Sequence, residues 1–386
     1  MRIAFVTAEY PPNIRGGAGH YAYRLTEAMA AKGHEVVIFT PQDCKGTTVP
    51  GIKISRSSMQ GEKSTFRFWI DLPRAIRSEE EAGRFDIVHV NGLSYWFLRG
   101  LTRAPIILTA HHSVRDAANV SGLSIFQRTV KMGSEESVLM SMVEKKAVKR
   151  SQHIVSVSQF TKDRIVWHYG TKPAKITVIP DGIDQRKMPP PEIVEAERNN
   201  IGVSSPIILF VGRLDDPRKG LDVLLEAFAK VAQATTASLV VVGKGNVDEM
   251  KSKMDLAGME GRIVFTGFIS RERLNVLYAI ADLCVVPSRL EGYGFTVADA
   301  MQAGCAVIAS RVGAIPEVIG VEDELVGASD PDELSSRMIG LLLDPDKRAA
   351  LGRENLRLSE LMLSWDQVAE ATIDVYESVR SGAKPK

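Results

Sequence analysis

The sequence predicts an α/β protein made of two tandem, doubly wound parallel-sheet domains facing a cleft. Three observations predict it. Short β-branched runs alternate with helix-spaced segments from end to end. The runs are continuously apolar, as strands buried on both faces are, and lack the alternation of a half-exposed sheet. The rhythm breaks once, at Pro180, and resumes at Ile207.

The elements follow in order. Strand-like runs lie at Ile3–Val6, Glu35–Phe39, Asp86–Val90, Pro105–Thr109, His153–Val157 and Ile176–Ile179. Helical spacing over His20–Lys32 stops at Gly33, a helix-ending residue. Residues 1–180 are therefore expected to form the first domain. Residues 181–206 carry Pro189, Pro190 and Pro191, then Gly202 and Pro206, and read as a linker with one helix. A second series runs Ile207–Val211, Ser238–Val242, Ile263–Thr266, Leu283–Pro287 and Ala306–Ala309, giving a second domain over 207–365. Helices alone are expected after it, ending with Trp365–Arg380 and a frayed tail, Ser381–Lys386. In open parallel sheets, ligands bind outside the carboxyl ends of the strands. Both sets of strand ends should therefore line the cleft.

Composition narrows the class. The 386 residues are 45% hydrophobic and 25% charged, which excludes a disordered chain. Lys and Arg number 48 against 47 Asp and Glu, without the basic excess of a nucleic-acid binder. Cys44, Cys284 and Cys305 have neither disulfide-framework nor zinc spacing and read as reduced thiols of a cytoplasmic protein. No leader pattern is read at the start, and no apolar stretch reaches the roughly 20 residues that span a bilayer. The expected location is cytoplasmic, with at most a peripheral place on the inner face of a membrane.

The first glycine loop contains a decoy. Gly17-Ala18-Gly19-His20-Tyr21-Ala22 matches the G-x-G-x-x-A dinucleotide fingerprint. The glycines come too long after the strand, however, and Thr40-Pro41 stands where the second strand should end in an acid. Two readings remain: backbone N–H groups near Gly16 and Gly17 that approach an anion or a sugar, or a plain strand-to-helix connection.

The second domain is more specific. Gly212-Arg213-Leu214-Asp215-Asp216-Pro217-Arg218-Lys219-Gly220 follows a buried strand. Its cations suit a diphosphate clamp, with Arg213 as a fork of donors and Lys219 as a point charge. The alternative is a solvated turn paired with its own Asp215 and Asp216. Further on, Pro287-Ser288-Arg289-Leu290-Glu291-Gly292-Tyr293-Gly294-Phe295-Thr296-Val297-Ala298-Asp299 leaves a strand through a Gly-rich turn and enters a helix near Phe295. A helix N-terminus suits phosphate, and ionised carboxylates accept from sugar hydroxyls. Glu291 and Asp299 flanking such a terminus describe a site for a sugar–diphosphate–ribose molecule.

This segment resembles the glutamate-seven-residues-glutamate signature of retaining glycosyltransferases of family four, which have the two-Rossmann-domain B fold (GT-B). Gly212–Gly220 is similar to the family's Arg/Lys diphosphate motif. Val241-Val242-Gly243-Lys244-Gly245 resembles its second-strand glycine turn, and Phe265-Thr266-Gly267-Phe268 its base-binding strand end. Val178–Asp184 resembles the sequence entering its linker. Ser364-Trp365-Asp366 resembles the start of its last helix, which crosses back to the first domain.

The resemblance implies roles. Glu291 would meet the donor sugar's hydroxyls and Asp299 the ribose. The backbone at Gly294, Phe295 and Thr296 would meet the sugar and diphosphate. Arg213 and Lys219 would neutralise the leaving diphosphate. Gly243 and Gly17 would also line the donor site, and main-chain groups near Phe268 would read the base. His111 would stand near the reacting sugar, with Gly16 and His20 on the acceptor side. Asp299 departs from the family's usual Glu by one methylene, so its ribose contact shortens to a single or water-mediated one. The donor would be a UDP- or GDP-sugar, the group moved a hexosyl, the acceptor a sugar, lipid or small molecule, and no cofactor or metal would be required. A sugar-nucleotide epimerase or hydrolase, or a non-catalytic sugar-nucleotide binding module, is the rival reading.

Asp330-Pro331-Asp332 and Asp344-Pro345-Asp346 have the Asp-x-Asp pattern of metal-dependent transferases, but each precedes a helical pattern and reads as an N-cap. His34 and His89 read as structural. The balanced charge hides a polarity: residues 1–180 hold 25 Lys and Arg against 15 acids, and the remainder 23 against 32. Lys145, Lys146, Lys149 and Arg150, and the run Phe66-Arg67-Phe68-Trp69 with Arg74 and Arg77, suit either a solvated basic face or an anionic acceptor or membrane.

Overall fold

The computed structural model describes all residues except 13, 15, 42–43, 45–48, 56–63, 93–101, 122–133, 185–187, 204, 249–258, 260 and 384–386. The side chains of 64–67, 118, 121 and 134–139 are likewise outside the description. Two compact units result, one of residues 1–115, 132–184 and 363–386, the other of residues 116–131 and 185–362.

The first unit holds seven strands: β1 (Arg2–Thr7), β2 (Glu35–Phe39), β3 (Ile52–Ile54), β4 (Ile87–Asn91), β5 (Ile106–Ala110), β6 (His153–Ser156) and β7 (Ile176–Val178). Their order is β3-β2-β1-β4-β5-β6-β7, and every pairing is parallel. One face carries Val6, Val37, Val88, Val90, Leu108 and Ile154 under Phe68, Leu72 and Ile76 of helix Ser64–Glu81, Val148 of helix Ser134–Arg150, and Ile165 of helix Gln159–Tyr169. On the other face, helix Gly17–Ala31 packs against helix Trp365–Ser381. The last helix is also tied to the sheet by a buried hydrogen bond between Tyr376 and His89 Nδ1. His89 Nε2 lies 2.7 Å from Thr109 Oγ1, and burial pushes the ring's pKa down to about 3, so it is a neutral structural strut.

The second unit holds β8 (Ile207–Val211), β9 (Ser238–Val242), β10 (Ile263–Gly267), β11 (Leu283–Val286), β12 (Val307–Ser310) and β13 (Leu325–Val326), again all parallel, in the order β10-β9-β8-β11-β12-β13. The strand order turns at β8 and β11, whose loops leave side by side. That crevice is the topological switch point, the usual ligand position in such sheets.

Three expectations need correction. Helices do not stand alone after β12, because β13 adds an edge strand; two residues are too few to show a period. β3, three residues long, was likewise not legible. The stretch 181–206 is not a free linker. Asp184 closes the first unit, while helix Pro191–Asn200 and the buried Ile201, with Val194 and Val203, pack into the core of the second. Pro191 opens that helix at its first turn, where a missing N–H costs nothing.

Gly243, at φ +151°, has no room for a Cβ, which would collide with the Gly212 carbonyl oxygen. The loops after β8 and β9 therefore close on each other only through glycine. Gly243→Ala is expected to destabilise the second unit by roughly 2–3 kcal/mol, read as a lower urea midpoint.

Candidate active site at the carboxyl edge of the second sheet

The loop after β8 runs from Gly212 to Gly220, and the loop after β11 from Pro287 to Gly294. Arg289 joins them. Its guanidinium grips Asp222 with two 2.8 Å hydrogen bonds and reaches the Pro217 carbonyl at 2.8 Å, while its backbone N–H donates to the Arg218 carbonyl at 2.7 Å. Both partners of the Arg289–Asp222 pair are nearly buried. A buried, bidentate pair of this kind fixes the register of two loops.

On this scaffold Lys219 and Glu291 meet. Lys219 Nζ donates to Glu291 Oε1 at 2.7 Å, and Ser288 Oγ donates to the same oxygen at 2.7 Å. Glu291 follows from the turn itself, since the Ala314 N–H donates to its carbonyl at 3.1 Å. For Arg213 the structure shows a pairing inside its own loop. It pairs with Asp216 of its own loop, as does Arg218, and the two cations hold the Asp216 carboxyl well below the usual range despite its burial. Arg213 remains about half exposed, at 47%.

Helix Phe295–Gln302 begins at Gly294, which is at φ +109° and has no side chain to cap it, and no acid stands in its first turn. Gly294 thus brings no side chain of its own to the positive end of this helix. Thr296 Oγ1 lies 3.5 Å from the Val211 carbonyl, at the end of β8. Phe268, beyond β10, is 68% exposed with Lys244 Nζ 4.4 Å from its ring centroid.

Asp299 lies one turn further in, nearly buried, and both its oxygens are taken by Arg271, at 2.8 and 3.0 Å. No sequence reading foresaw this partner, because 28 positions separate the two. The expectation that shortening Glu to Asp merely loosens a ribose contact is therefore incomplete: the carboxylate also serves a guanidinium.

In the first unit, the helix after the glycine loop starts at Gly17 itself, so Gly17 and Gly19 lie in its first turn and not in a strand-to-helix turn. The Gly16 N–H donates to Glu9 Oε2 at 3.1 Å. His20 Nε2 lies 3.5 Å from Asp184 Oδ2, and Arg24 Nε donates to Asp184 Oδ1 at 2.6 Å. His111 follows β5, with its Nε2 2.7 Å from Asn91 Oδ1 and its ring edge-on to Tyr21 at 5.0 Å. Thus His111, His20 and the glycine loop belong to one unit, and Arg213, Lys219, Gly243, Phe268, Glu291, Gly294, Phe295, Thr296 and Asp299 to the other.

Both Asp-Pro-Asp segments cap helices. Asp330 accepts from the backbone N–H of Asp332 and Glu333, and Asp344 from that of Lys347. Lys145, Lys146 and Lys149 are exposed, as are Ile70, Met140, Met142 and Arg74. Phe66 and Arg67 have side chains outside the described residues.

Comparison with known proteins decides the family. The model described as glycosyl transferases group 1 matches residues 205–344, and that of glycosyltransferase family 4 matches residues 15–187. The chain belongs to the group 1, family 4 glycosyltransferases. This glycosyltransferase is 28% identical to a D-inositol 3-phosphate glycosyltransferase of Xylanimonas cellulosilytica, over 94% of this chain and 91% of that one. It is also 28% identical to a phosphatidyl-myo-inositol mannosyltransferase of Mycolicibacterium smegmatis, over 99% and 95%. In structure it is similar to a sucrose-phosphate synthase of Thermosynechococcus elongatus (TM-score 0.83, 24% identity, 99% and 100% covered). It is also similar to an Anabaena protein crystallised with UDP-glucose (TM-score 0.78, 17% identity, 98% and 100% covered). The GT-B fold of two Rossmann-like units is the one these neighbours have. Among the described residues, no helix is long and apolar enough to cross a membrane.

Proposed function

We propose that this glycosyltransferase moves a hexosyl group, with retention, from a UDP- or GDP-sugar bound by the second unit to a hydroxyl of an anionic acceptor recognised by the first. The observation that carries the reading is the Lys219–Glu291 pair at the β8/β11 switch point, on the loop that enters the helix starting after Gly294. In the transfer, the bond from the anomeric carbon to the diphosphate oxygen breaks and a bond to the acceptor oxygen forms. The acceptor's proton leaves with the diphosphate. The negative charge that grows on the diphosphate would be met by Lys219, Arg213 and the helix N-terminus. Glu291, an acceptor only, would hold sugar hydroxyls. This scheme places leaving-group stabilisation on the chain's own cations, and attack from the face of the departing group accounts for retention without a carboxylate nucleophile.

Two lines support an anionic acceptor: the basic excess of residues 1–180, and the inositol phosphate and phosphatidylinositol named as acceptors by two relatives. The exposed Lys145, Lys146 and Lys149, with Met140 and Met142 exposed on the same helix, support peripheral docking on anionic lipid. The UDP-glucose held by a structural neighbour supports a nucleotide-sugar donor. The test is nucleotide release from UDP- and GDP-hexoses, with inositol 3-phosphate, phosphatidylinositol vesicles or neither present. Acceptor-dependent release is expected. Release of an isomerised or free sugar without acceptor would favour an epimerase or hydrolase, and binding without turnover a binding module.

Asp299→Asn keeps the side chain's size and removes its charge. Nucleotide binding is expected to weaken about tenfold, or ~1.4 kcal/mol, by calorimetric titration. An unchanged Kd would remove Asp299 from the donor site.

A further inference from the structure

Asn91 is the last residue of β4, paired in register with Thr7 at the end of β1 and with Thr109 in β5. It lies at the switch point of the first unit's sheet, where the strand order turns between β1 and β4. Its side chain is 5% exposed and makes three hydrogen bonds. Nδ2 donates to the Ala18 carbonyl at 2.8 Å and to Thr7 Oγ1 at 3.2 Å, and Oδ1 stands 2.7 Å from His111 Nε2.

The direction of each bond follows from the chemistry. A backbone carbonyl only accepts, so the Ala18 contact fixes which end of the Asn91 amide is NH2. Oδ1 then faces the imidazole, and an amide oxygen can only accept. His111 must therefore carry a proton on Nε2. A neutral imidazole has one N–H, so Nδ1 is left with a bare lone pair. Burial, and after it the neighbouring His112, push the His111 pKa down to about 3, which keeps the ring neutral at working pH. The remaining geometry is equally fixed. Thr161 Oγ1 donates to the His111 carbonyl at 3.4 Å, and the edge-on Tyr21 ring packs against the imidazole.

We propose that Asn91 is the positioning residue of His111, locking the Nε2–H tautomer so that the bare Nδ1 is offered as hydrogen-bond acceptor to a substrate hydroxyl. The hydroxyl half of this inference rests on the proposed function; the tautomer half does not. Sugars and polyols are the chemical class that fits, because their O–H groups supply the donor that Nδ1 lacks. Through Ala18 the same amide also holds the first turn of the helix after the glycine loop, so one side chain sets both the loop's exit and the ring's orientation.

Asn91→Asp tests it. The titratable neighbours of the ring are His112 on its own loop, His89 on β4 and Tyr21 on the helix, with Asp181 acting on Tyr21. A carboxylate at position 91 would still accept from Nε2 but would also favour the doubly protonated ring, and it would lose the two Nδ2 donations.

The experiment is nitrogen-detected NMR on the full chain labelled with ¹⁵N-histidine. Only seven histidines contribute signals, and His111→Gln assigns the signal. The wild type is expected to show His111 protonated on Nε2 and bare on Nδ1 at pH 7. Asn91→Asp is expected to raise the His111 titration midpoint by about one unit or more. In the transfer assay, the acid limb of kcat/KM should move by the same amount. A wild-type His111 protonated on Nδ1, or an Asn91→Asp titration that does not move, would overturn the positioning role; the wild-type spectrum decides this even if the variant does not fold. A shifted titration with an unmoved acid limb would overturn the hydroxyl contact. Absence of transfer with every donor and acceptor would sink the functional reading while the tautomer result stands.

Discussion

Glu291→Ala is expected to lower kcat at least about a hundredfold while leaving the affinity for free nucleoside diphosphate within about threefold of wild type. The asymmetry follows from where the carboxylate sits. Oε1 accepts from Lys219 and Ser288, both on the loops that frame the switch point. On the proposed reading, removing it would take a hydroxyl acceptor from the sugar but leave the cation in place, so the diphosphate would keep Lys219 and the helix end at Gly294. A lysine freed from its carboxylate is a better partner for phosphate, so binding is retained or gains slightly. The fold should survive, because the loop register rests on Arg289–Asp222 and not on Glu291. Initial-rate kinetics and a circular dichroism melt of the same preparation separate the two effects. Wild-type turnover in this variant would remove Glu291 from the reaction.

Asp181→Asn is expected to stabilise the protein, increasingly so as the pH rises. Asp181 is 1% exposed, its Oδ1 has no hydrogen-bond partner among the described residues, and burial raises its pKa well above the usual value. The sign follows from proton linkage. The unfolded chain gives up this proton near the ordinary carboxylate pKa, whereas the folded chain holds it to a higher pH. Stability that is full below the ordinary value is therefore lost as pH rises through the folded one, at about 1.4 kcal/mol per unit between them. An amide has no proton to give up, so the loss disappears, and the gain by pH 8 should exceed ~1 kcal/mol. Urea titrations at pH 5 and pH 8 measure it. A variant that is equally or less stable than wild type at pH 8 would show that the carboxyl is paired or solvated in solution. Gly182, next along, packs so closely against Trp365 that an added Cβ there would collide with it.

The long elements were legible because parallel strands bury both faces. Ile207–Val211 and Ser238–Val242 are unbroken apolar runs bounded by turn residues, and the structure has strands over the same residues. Local signals also carried. Asp330 and Asp344 cap their helices as the Asp-Pro pattern implies, and Gly33, at φ +83°, ends the first helix. What failed was short or non-local. β13 has no period to detect, and the helix expected within 181–206 gave no sign that it belongs to the second unit, because that membership depends on what it packs against. The cations after β8 were read either as a diphosphate clamp or as a turn paired with its own acids, and neither reading named Glu291 as a partner. Lys219 pairs with Glu291 of another loop, 72 positions away, while Arg213 pairs with Asp216 of its own loop, the pairing the sequence does offer. Arg271–Asp299 and Asn91–His111 were invisible, since pairs that distant meet only through the fold. Asn91 did carry a faint signal, a polar residue ending a buried strand, which in a parallel sheet marks the ligand edge.

The central claim is that the carboxyl edge at β8 and β11 binds a nucleoside diphosphate through Lys219. Calorimetric titration of the full chain and of Lys219→Ala with UDP, GDP and ADP tests it directly. One of the three is expected to bind the wild type at one site, and Lys219→Ala is expected to weaken that binding at least about tenfold, ~1.4 kcal/mol. Equal affinity in both proteins, or no binding of any nucleotide by the wild type, would contradict it.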